Sequence, residues 1–483
     1  MKHSLSFSSI STFLLCCILI VTSCKKASVD DATSNNKPPV ANAGVDQIIT
    51  FPNNVVTLDG SGSTDPDNNI TGYVWAKISG PSTFNIVNAN TVQTQVTTLT
   101  QGVYQFELKV IDNGGLSAKD TVQILVNPFV INSCNANRPI INAKLVPFGT
   151  LSQPRGGVAI GATKNKIVFA GGYAYNNLSN TYNITSSVDI YNTGTQNWST
   201  AQLTVPRYDV AITTLGNKIF FAGGVEQGPW DYDIINSNVD IYDAEVNSWS
   251  VTNLSNGRQE LAAASAGNKV LFAGGNWLNL FTDKIDIYDG SNNLMSVTSS
   301  RLSTARTNLS GVSSGNKIYF AGGYTQQYPF TPSDNIDIYD AISASWSTSK
   351  LSEPKDGHAA IAVNNKIYWA GGTTFRDQNN NPHISSVVEI RDITTQTSTF
   401  ACLFQPNSDF AAVVKDNKMV FFTGNGAVKN KFDIYDIATN IWSIGVLPQN
   451  IEGAAIISVN NIIYVAGGYV NGVLSNQVRL LEW

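Results

Sequence analysis

The sequence predicts an all-β protein: an Ig-like β-sandwich followed by a seven-bladed β-propeller that is closed by its own N-terminal strand. Three observations carry this reading. Between residues 38 and 127, short segments alternate apolar and polar residues at period two and are separated by clusters of Gly, Asp and Asn. Further on, a doubled glycine recurs at 171/172, 223/224, 274/275, 322/323, 371/372 and 467/468, with a degraded copy at Gly424 and Asn425. Its spacing of 43 to 53 residues belongs to propellers and arrays. Finally, charged residues make up only 13% of the chain and the net charge is −5, which denies it the basic surface that nucleic acid requires.

Residues 1–23 read as an export signal. Lys2 precedes a nine-residue apolar core, "FLLCCILIV" from Phe13 to Val21, which is too short to span a bilayer. The stretch "VTSC", ending at Cys24, resembles a bacterial lipobox. That resemblance implies that Cys24 is lipidated and becomes the mature N-terminus, so that the protein is anchored to the membrane without spanning it. Lys25 and Lys26, with no aspartate directly after the cysteine, point to the outer membrane, periplasmic or surface-exposed. Residues 24–37 are polar and aperiodic, a flexible tether. Only Cys134 and Cys402 remain beyond the leader, and an oxidising compartment would permit them to pair.

In residues 38–127, "GYVWAKISG", "VYQFELKVID" and "DTVQILV" read as strands of an antiparallel sandwich. "LDGSGSTDPD" at Leu58–Asp67, "YVW" at Tyr73–Trp75 and "GVYQFELKVIDNGG" at Gly102–Gly115 resemble a PKD domain, an Ig-like extracellular unit. The resemblance implies a spacer or a weak binding module. Asp59, Asp65, Asp67 and Asp112 either cap turns through nearby backbone amides or offer oxygen ligands to calcium. No metal site is assigned.

After a linker at 128–139, residues 140–483 form the repeat. Each copy runs from a strand of small residues, through a tight "GNK" or "NNK" turn, to "KIYFAGG", a variable loop and "VDIYD". A Trp follows seven residues after the Tyr in Tyr191/Trp198, Tyr242/Trp249, Tyr339/Trp346 and Tyr435/Trp442. Four strands per copy make a propeller blade, and small first strands suit the crowded axis. The double glycine, "VDIYD" and spaced Trp resemble kelch repeats. The last copy ends at Trp483 without an outermost strand, while "LVPFGTLSQPR" at Leu145–Arg155 matches the strand-and-loop end of another blade, "SWSTSKLSEPK". The N-terminal strand is therefore expected to complete blade seven and leave no open edge.

Function is expected on the face shared by the second-to-third-strand loops and the inter-blade connections. The loops carry Tyr173, Tyr175 and Tyr182, then Trp230, Tyr232, Trp277, Phe281, Tyr324, Tyr328, Phe330, Phe375, His383 and Tyr469. Such rings suit sugars and protein hot spots alike, unless they fold back against neighbouring blades. Sixteen residues before the glycines stand Arg155, Arg207, Arg258, Arg306 and Lys355, then Ser408 and Ile451. This ring of cations either grips carboxylates at a wet mouth or braces blades through carbonyls and aspartates. In some animal kelch adaptors the corresponding Arg contributes to acidic-peptide binding. His358 is read as structural. The expected function is binding of a glycan or an envelope or extracellular protein, without cofactor. The alternative is a carbohydrate-active enzyme of the mutarotase type, with Glu226 and Glu260 as acid/base candidates and no catalytic residue assigned. Copper chemistry of the galactose-oxidase type, which uses two His, two Tyr and a Cys crosslinked to one Tyr, is not expected, because His358 falls on a first strand and His383 in a loop, and Cys402 is the one cysteine of the propeller core.

Overall fold

A computed structural model describes residues 36–483, apart from short segments at 51–52, 82–83, 100–101, 128–136, 177–180, 229–232, 279, 328–329, 377–379 and 423. The leader, Cys24 and Cys134 lie outside the described residues, as do Trp230, Tyr232 and Tyr328.

The first unit is a sandwich of two sheets. Gln47–Thr50, Ser117–Asn127, Gly102–Asp112 and Ile70–Ser79 form one, with Gln47–Thr50 running parallel to its neighbour; Val56–Asp59, Gln93–Thr97 and Asn85–Ile86 form the other. Alternation puts Tyr104, Phe106, Leu108 and Val110 inside, packed with Trp75, Leu58 and Val96. The acidic turn residues cap backbone: Asp59 accepts from Ser61 N, Asp65 from Asp67 N, Asp67 from Lys37 N and Asp112 from Leu116 N. The Ser61 bonds hold the Asp59 carboxyl below its usual range.

The repeats build seven sheets in chain order. Blade one shows the plan, with Ala159–Thr163, Lys166–Ala170, Ser187–Asn192 and Asn197–Gln202 in an antiparallel meander. The constant Tyr to Trp interval has its cause here, because the third and fourth strands form a hairpin in which Tyr191 faces Trp198. Their rings lie 5.1 Å apart, and the pairs in blades two, four and six repeat the contact at 4.8–5.1 Å. Blade five lacks the pair because Arg391 and Ser398 occupy those positions.

The ring closes as the sequence predicts. Lys144–Thr150 is the fourth strand of blade seven, antiparallel to Gln477–Glu482. Its Phe148 fills the seam between blades seven and one, 4.8 Å from Tyr191 and 5.2 Å from Tyr464. One feature departs from expectation: Ile140–Asn142 adds a fifth strand to blade six, parallel to Ile441–Val446. Parallel pairing of a strand supplied from far along the chain leaves no periodic mark in the sequence.

The doubled glycine stitches blades together. Gly223 and Gly224 have φ of +66° and +96°, and Gly224 N donates to the carbonyl of Arg258 in the next blade. A Cβ on Gly223 would lie 2.4 Å from that same oxygen. The equivalent bond from Gly468 N to Arg155 O joins blade seven to blade one. In blade six the sequence reading is off by one residue. A Cβ on Gly424 would lie 2.3 Å from Ser408 O, the clash met elsewhere by the second glycine, as a Cβ on Gly224 would meet Tyr208 O. The position aligned with the cations is therefore Asn407, whose carbonyl accepts from Gly372 N, and not Ser408.

Gly223→Ala should lower stability by more than about 2 kcal/mol, since a left-handed residue costs about 1–3 kcal/mol before any clash is added. Gly216→Ala, at φ +56° with open space around it, should cost only about 1 kcal/mol. Urea melts of both variants check this, and equal losses would remove the stitching role.

Candidate functional site

The inter-blade cations are not presented at a mouth. Arg155, Arg207, Arg258 and Arg306 are each 0% exposed. Each pairs with the aspartate of its own blade's third strand: Asp189, Asp240, Asp286 and Asp337. Arg258 shows the geometry, with Nη1 donating to Gly274 O and Lys284 O at 3.1 and 3.0 Å while Nη2 reaches Asp286. The same aspartates also receive the connection itself, from Ser152, Thr204, Ser255 and Ser303. Burial presses each guanidinium pKa down and the aspartate opposes this. The expectation that these cations grip a ligand is thus corrected. The Nη donors of these arginines are committed to carbonyls and carboxylates, out of reach of solvent, and each Nε is buried with no hydrogen-bond partner in the protein.

The remaining blades solve the same problem differently. Lys355 is fully buried beside Glu353, with Nζ 2.8 Å from Oε1. Blade five's third-strand acid, Glu389, takes Arg391 instead, at 2.6 Å, together with Ser352 N and Oγ. Burial acts to raise the Glu389 pKa, but Arg391 and these donors hold it below the usual range. In blade six, Asp433 pairs at 2.6 Å with Arg138, which comes from the linker and also donates to Cys402 O. Burial pushes Asp433 to about 7 despite that partner. Cys402 is disulfide-bonded, and its partner lies outside the described residues. Blade seven has Ile451 where the cation would be, and Arg479 where the acid would be.

With the cations turned inward, the axial ring falls to the residue two positions after each cation, or after Asn407 and Ile451 in the two blades that lack one. Gly157, Asp209, Glu260, Asn308, Gly357, Asp409 and Gly453 occupy this place, and all have φ between +51° and +60°. The bridges Tyr208–Val225, Gln259–Asn276, Thr307–Tyr324 and Asp356–Thr373 fasten the connections to the second-to-third-strand loops, which rise as short ribbons. Between them lies a cavity of about 390 Å³, on connections and ribbons from blades three to six. Its wall includes Glu260, Asn308, Tyr324, Asp356, Arg376 and Asp409. The mouth is acidic, opposite in sign to the sequence expectation.

Within the cavity, Glu260 Oε2 accepts from Thr307 Oγ1 at 2.9 Å, Asn276 Nδ2 at 3.0 Å and Tyr324 OH at 3.2 Å. Burial and Glu260 together raise the Tyr324 pKa above its ordinary value. Asp356 is 6% exposed; Oδ2 accepts from Asn308 Nδ2 at 2.9 Å and Oδ1 has no partner in the protein. Burial, reinforced by Asp409, pushes Asp356 to about 7. Asp209 opens to solvent at the mouth yet is ringed by protein, and desolvation with Glu260 also brings it to about 7. Arg376 stands at the exposed rim over the Phe330 ring, 5.1 Å away.

Of the aromatic candidates, Tyr324 and Phe330 line this cavity. Tyr173 packs over Gly157 and edge-on to Tyr208, 5.5 Å away. Trp277 stands 48% exposed outside the cavity wall. Phe375 stacks on His383 at 3.7 Å, and Tyr469 pairs with Glu452 and Leu474 in a separate small sheet. Glu226 accepts from Asn236, away from the cavity wall, whereas Glu260 is central to it. His358 is buried against Ser310 Oγ at 2.8 Å, and desolvation with Lys355 and Arg306 depresses its pKa to about 3. Sequence reasoning missed Asp209, Asn308, Asp356 and Asp409. Their signal is a polar residue at or beside a left-handed position, two residues past the buried cation.

Comparison with known proteins identifies both units. A family model for a PKD domain of the KIAA0319-like type matches residues 43–126, and that of the KLHDC2/KLHL20/DRC7 kelch-repeats domain matches residues 262–468. The human dyslexia-associated protein KIAA0319 is 41% identical over 97 residues, 20% of this chain and 9% of that protein. The mouse KIAA0319-like protein is 42% identical over 92 residues, 19% of this chain and 9% of that one. Human low-density lipoprotein receptor-related protein 11 is 34% identical over 89 residues, 18% of either chain. The matches thus span a tenth to a fifth of these relatives' lengths. A solved structure titled "Structure of YjhT" aligns over 69% of this chain and 95% of its own, at 12% identity and a TM-score of 0.45. A PKD domain joined to a kelch propeller points to a binding or scaffold role.

The carboxyls at the mouth make stability depend on pH. Asp356 and Asp209 hold protons near neutrality that the unfolded chain releases near pH 4, so their contribution is full at low pH and fades as pH rises through about 7. His358 acts oppositely, because the unfolded ring takes a proton near 6.5 and the folded one only near 3, so its stabilisation fades as pH falls through that window. Asp356→Asn should therefore flatten the decline in melting temperature between about pH 5 and 8. Melts at both pH values check this, and an unchanged decline would contradict the assignment.

Proposed function

We propose that this chain is a lipid-anchored protein of the bacterial cell envelope, at the outer membrane, whose propeller captures a glycan in the acidic cavity while the PKD unit acts as spacer. The lipobox-like "VTSC" at Cys24 supports the anchor. The observation that carries the ligand reading is the cavity of about 390 Å³, a size at the lower end of small-ligand sites. Its wall combines two aromatic rings with carboxylates and amides, which suits the apolar faces and the hydroxyls of a sugar. A protein ligand would be expected to use a broader and flatter surface. The mutarotase-type reading gains one specific support: carboxyls near 7 on this wall could give or take a proton at neutral pH.

A glycan array probed with the full-length chain tests the proposal. Tyr324→Ala should weaken capture tenfold or more, and Trp277→Ala, outside the cavity, should stay within twofold of the parent. Capture unaffected by Tyr324→Ala would remove the cavity from the account. Envelope proteins captured with no glycan bound would favour the protein-ligand reading. Accelerated anomer exchange of a captured sugar would favour the enzyme.

A further inference from the structure

The cavity's charge is unbalanced in a way that a neutral sugar leaves unanswered. Four carboxyl groups, on Asp209, Glu260, Asp356 and Asp409, stand at the mouth against one guanidinium, that of Arg376. Glu260 is satisfied by three donors. Asp409 accepts from Asn425 Nδ2 at 2.7 Å and Ser408 Oγ at 3.2 Å. Asp356 is different: it is more than nine-tenths buried on the cavity wall, and its Oδ1 has no protein partner. A buried acceptor left in this state costs free energy unless something completes it.

No protein cation is placed to do so. Lys355, next in the chain, is turned to Glu353. Arg376 donates to Asn380 O at 3.3 Å and lies over Phe330 at the rim. Arg376 favours the Asp356 charge at a distance without a hydrogen bond to it, and the other groups acting on Asp356 are the amide of Asn308 and the acids Asp409 and Glu260. Among the described residues, no three acidic, histidine or cysteine side chains converge in the arrangement that holds a metal ion. The neighbours are hydrogen-bonding and aromatic groups, Asn308, Thr373, Gln327 and Tyr324.

We propose that the cavity takes an amino sugar with a free protonated amine, with the Asp356 carboxylate as the counter-ion of its ammonium group. This rests on the glycan reading above and narrows it to one class. The ammonium meets the charge of the Asp356 carboxylate from the cavity side and offsets the repulsion among the four acids. Tyr324 and Phe330 meet the sugar ring, while Asn308, Gln327 and Thr373 meet its hydroxyls. N-acetylation, which removes the charge and adds bulk, is selected against. Because burial keeps Asp356 partly protonated near neutrality, affinity rises from pH 5 to pH 7 as that proton is shed.

Calorimetric titration of the full-length chain with glucosamine, N-acetylglucosamine, glucose and cadaverine tests this at pH 7. Glucosamine should bind at least tenfold more tightly than the other three. Asp356→Asn should abolish the preference over glucose; Asp409→Asn should reduce it and serves if the first variant fails to fold. Equal affinity for glucosamine and glucose would overturn the ammonium proposal while leaving the glycan reading intact. Cadaverine binding as tightly as glucosamine would overturn the amino-sugar assignment in favour of basic side chains. Calcium competing with glucosamine at equal concentration would overturn it in favour of a metal ion. Binding by no sugar at all would overturn both readings.

Discussion

A guanidinium sealed inside each of four blades, held by an aspartate and two or three carbonyls, is the interaction on which the propeller's inner architecture depends. It ties the entry of a blade to that blade's third strand. The carbonyl of the same arginine then receives the glycine amide of the preceding blade. Side chain and backbone of one residue therefore act in two directions, inward to its own blade and sideways to its neighbour. Where the arginine is missing the acid is still matched: Glu389 by Arg391, Asp433 by Arg138 from the linker. Leaving such an acid buried and alone would cost about 3–5 kcal/mol, which is reason enough for a distant residue to take the role.

The chemistry of the mouth follows from this arrangement. Cations drawn into the blades leave the axial face to the next residues along each connection, and these are acids, amides and glycines in a left-handed conformation. The short ribbons above them complete a cavity from blades three to six. Asymmetry in a repeated fold thus arises from two small departures: which residue sits two places past the cation, and how far each ribbon folds over the axis.

Much of the fold was legible because the signals are local. The Tyr to Trp interval is a hairpin register, and the glycine spacing is one blade. The closure strand was legible as a fragment of the same pattern out of place. The sign of the mouth was not, since a cation at a fixed register can point to the axis or into its blade, and spacing does not distinguish these. A clue was present in the serine or threonine three residues before each cation, together with the aspartate of "VDIYD", which form the rest of the brace. Arg138 could not have been paired from the sequence, because 295 positions separate it from Asp433. Nor could the slip in blade six, where one lost glycine conceals which of two residues holds the place.

The most direct test of the brace is a double-mutant cycle on Arg258 and Asp286, the pair with no exposure on either side chain. Urea unfolding of Arg258→Met, Asp286→Leu and the double variant gives the coupling energy free of either residue's separate packing effects. The account predicts single losses of about 3–5 kcal/mol and a double variant that recovers much of that cost. Strictly additive losses, with coupling near zero, would contradict it.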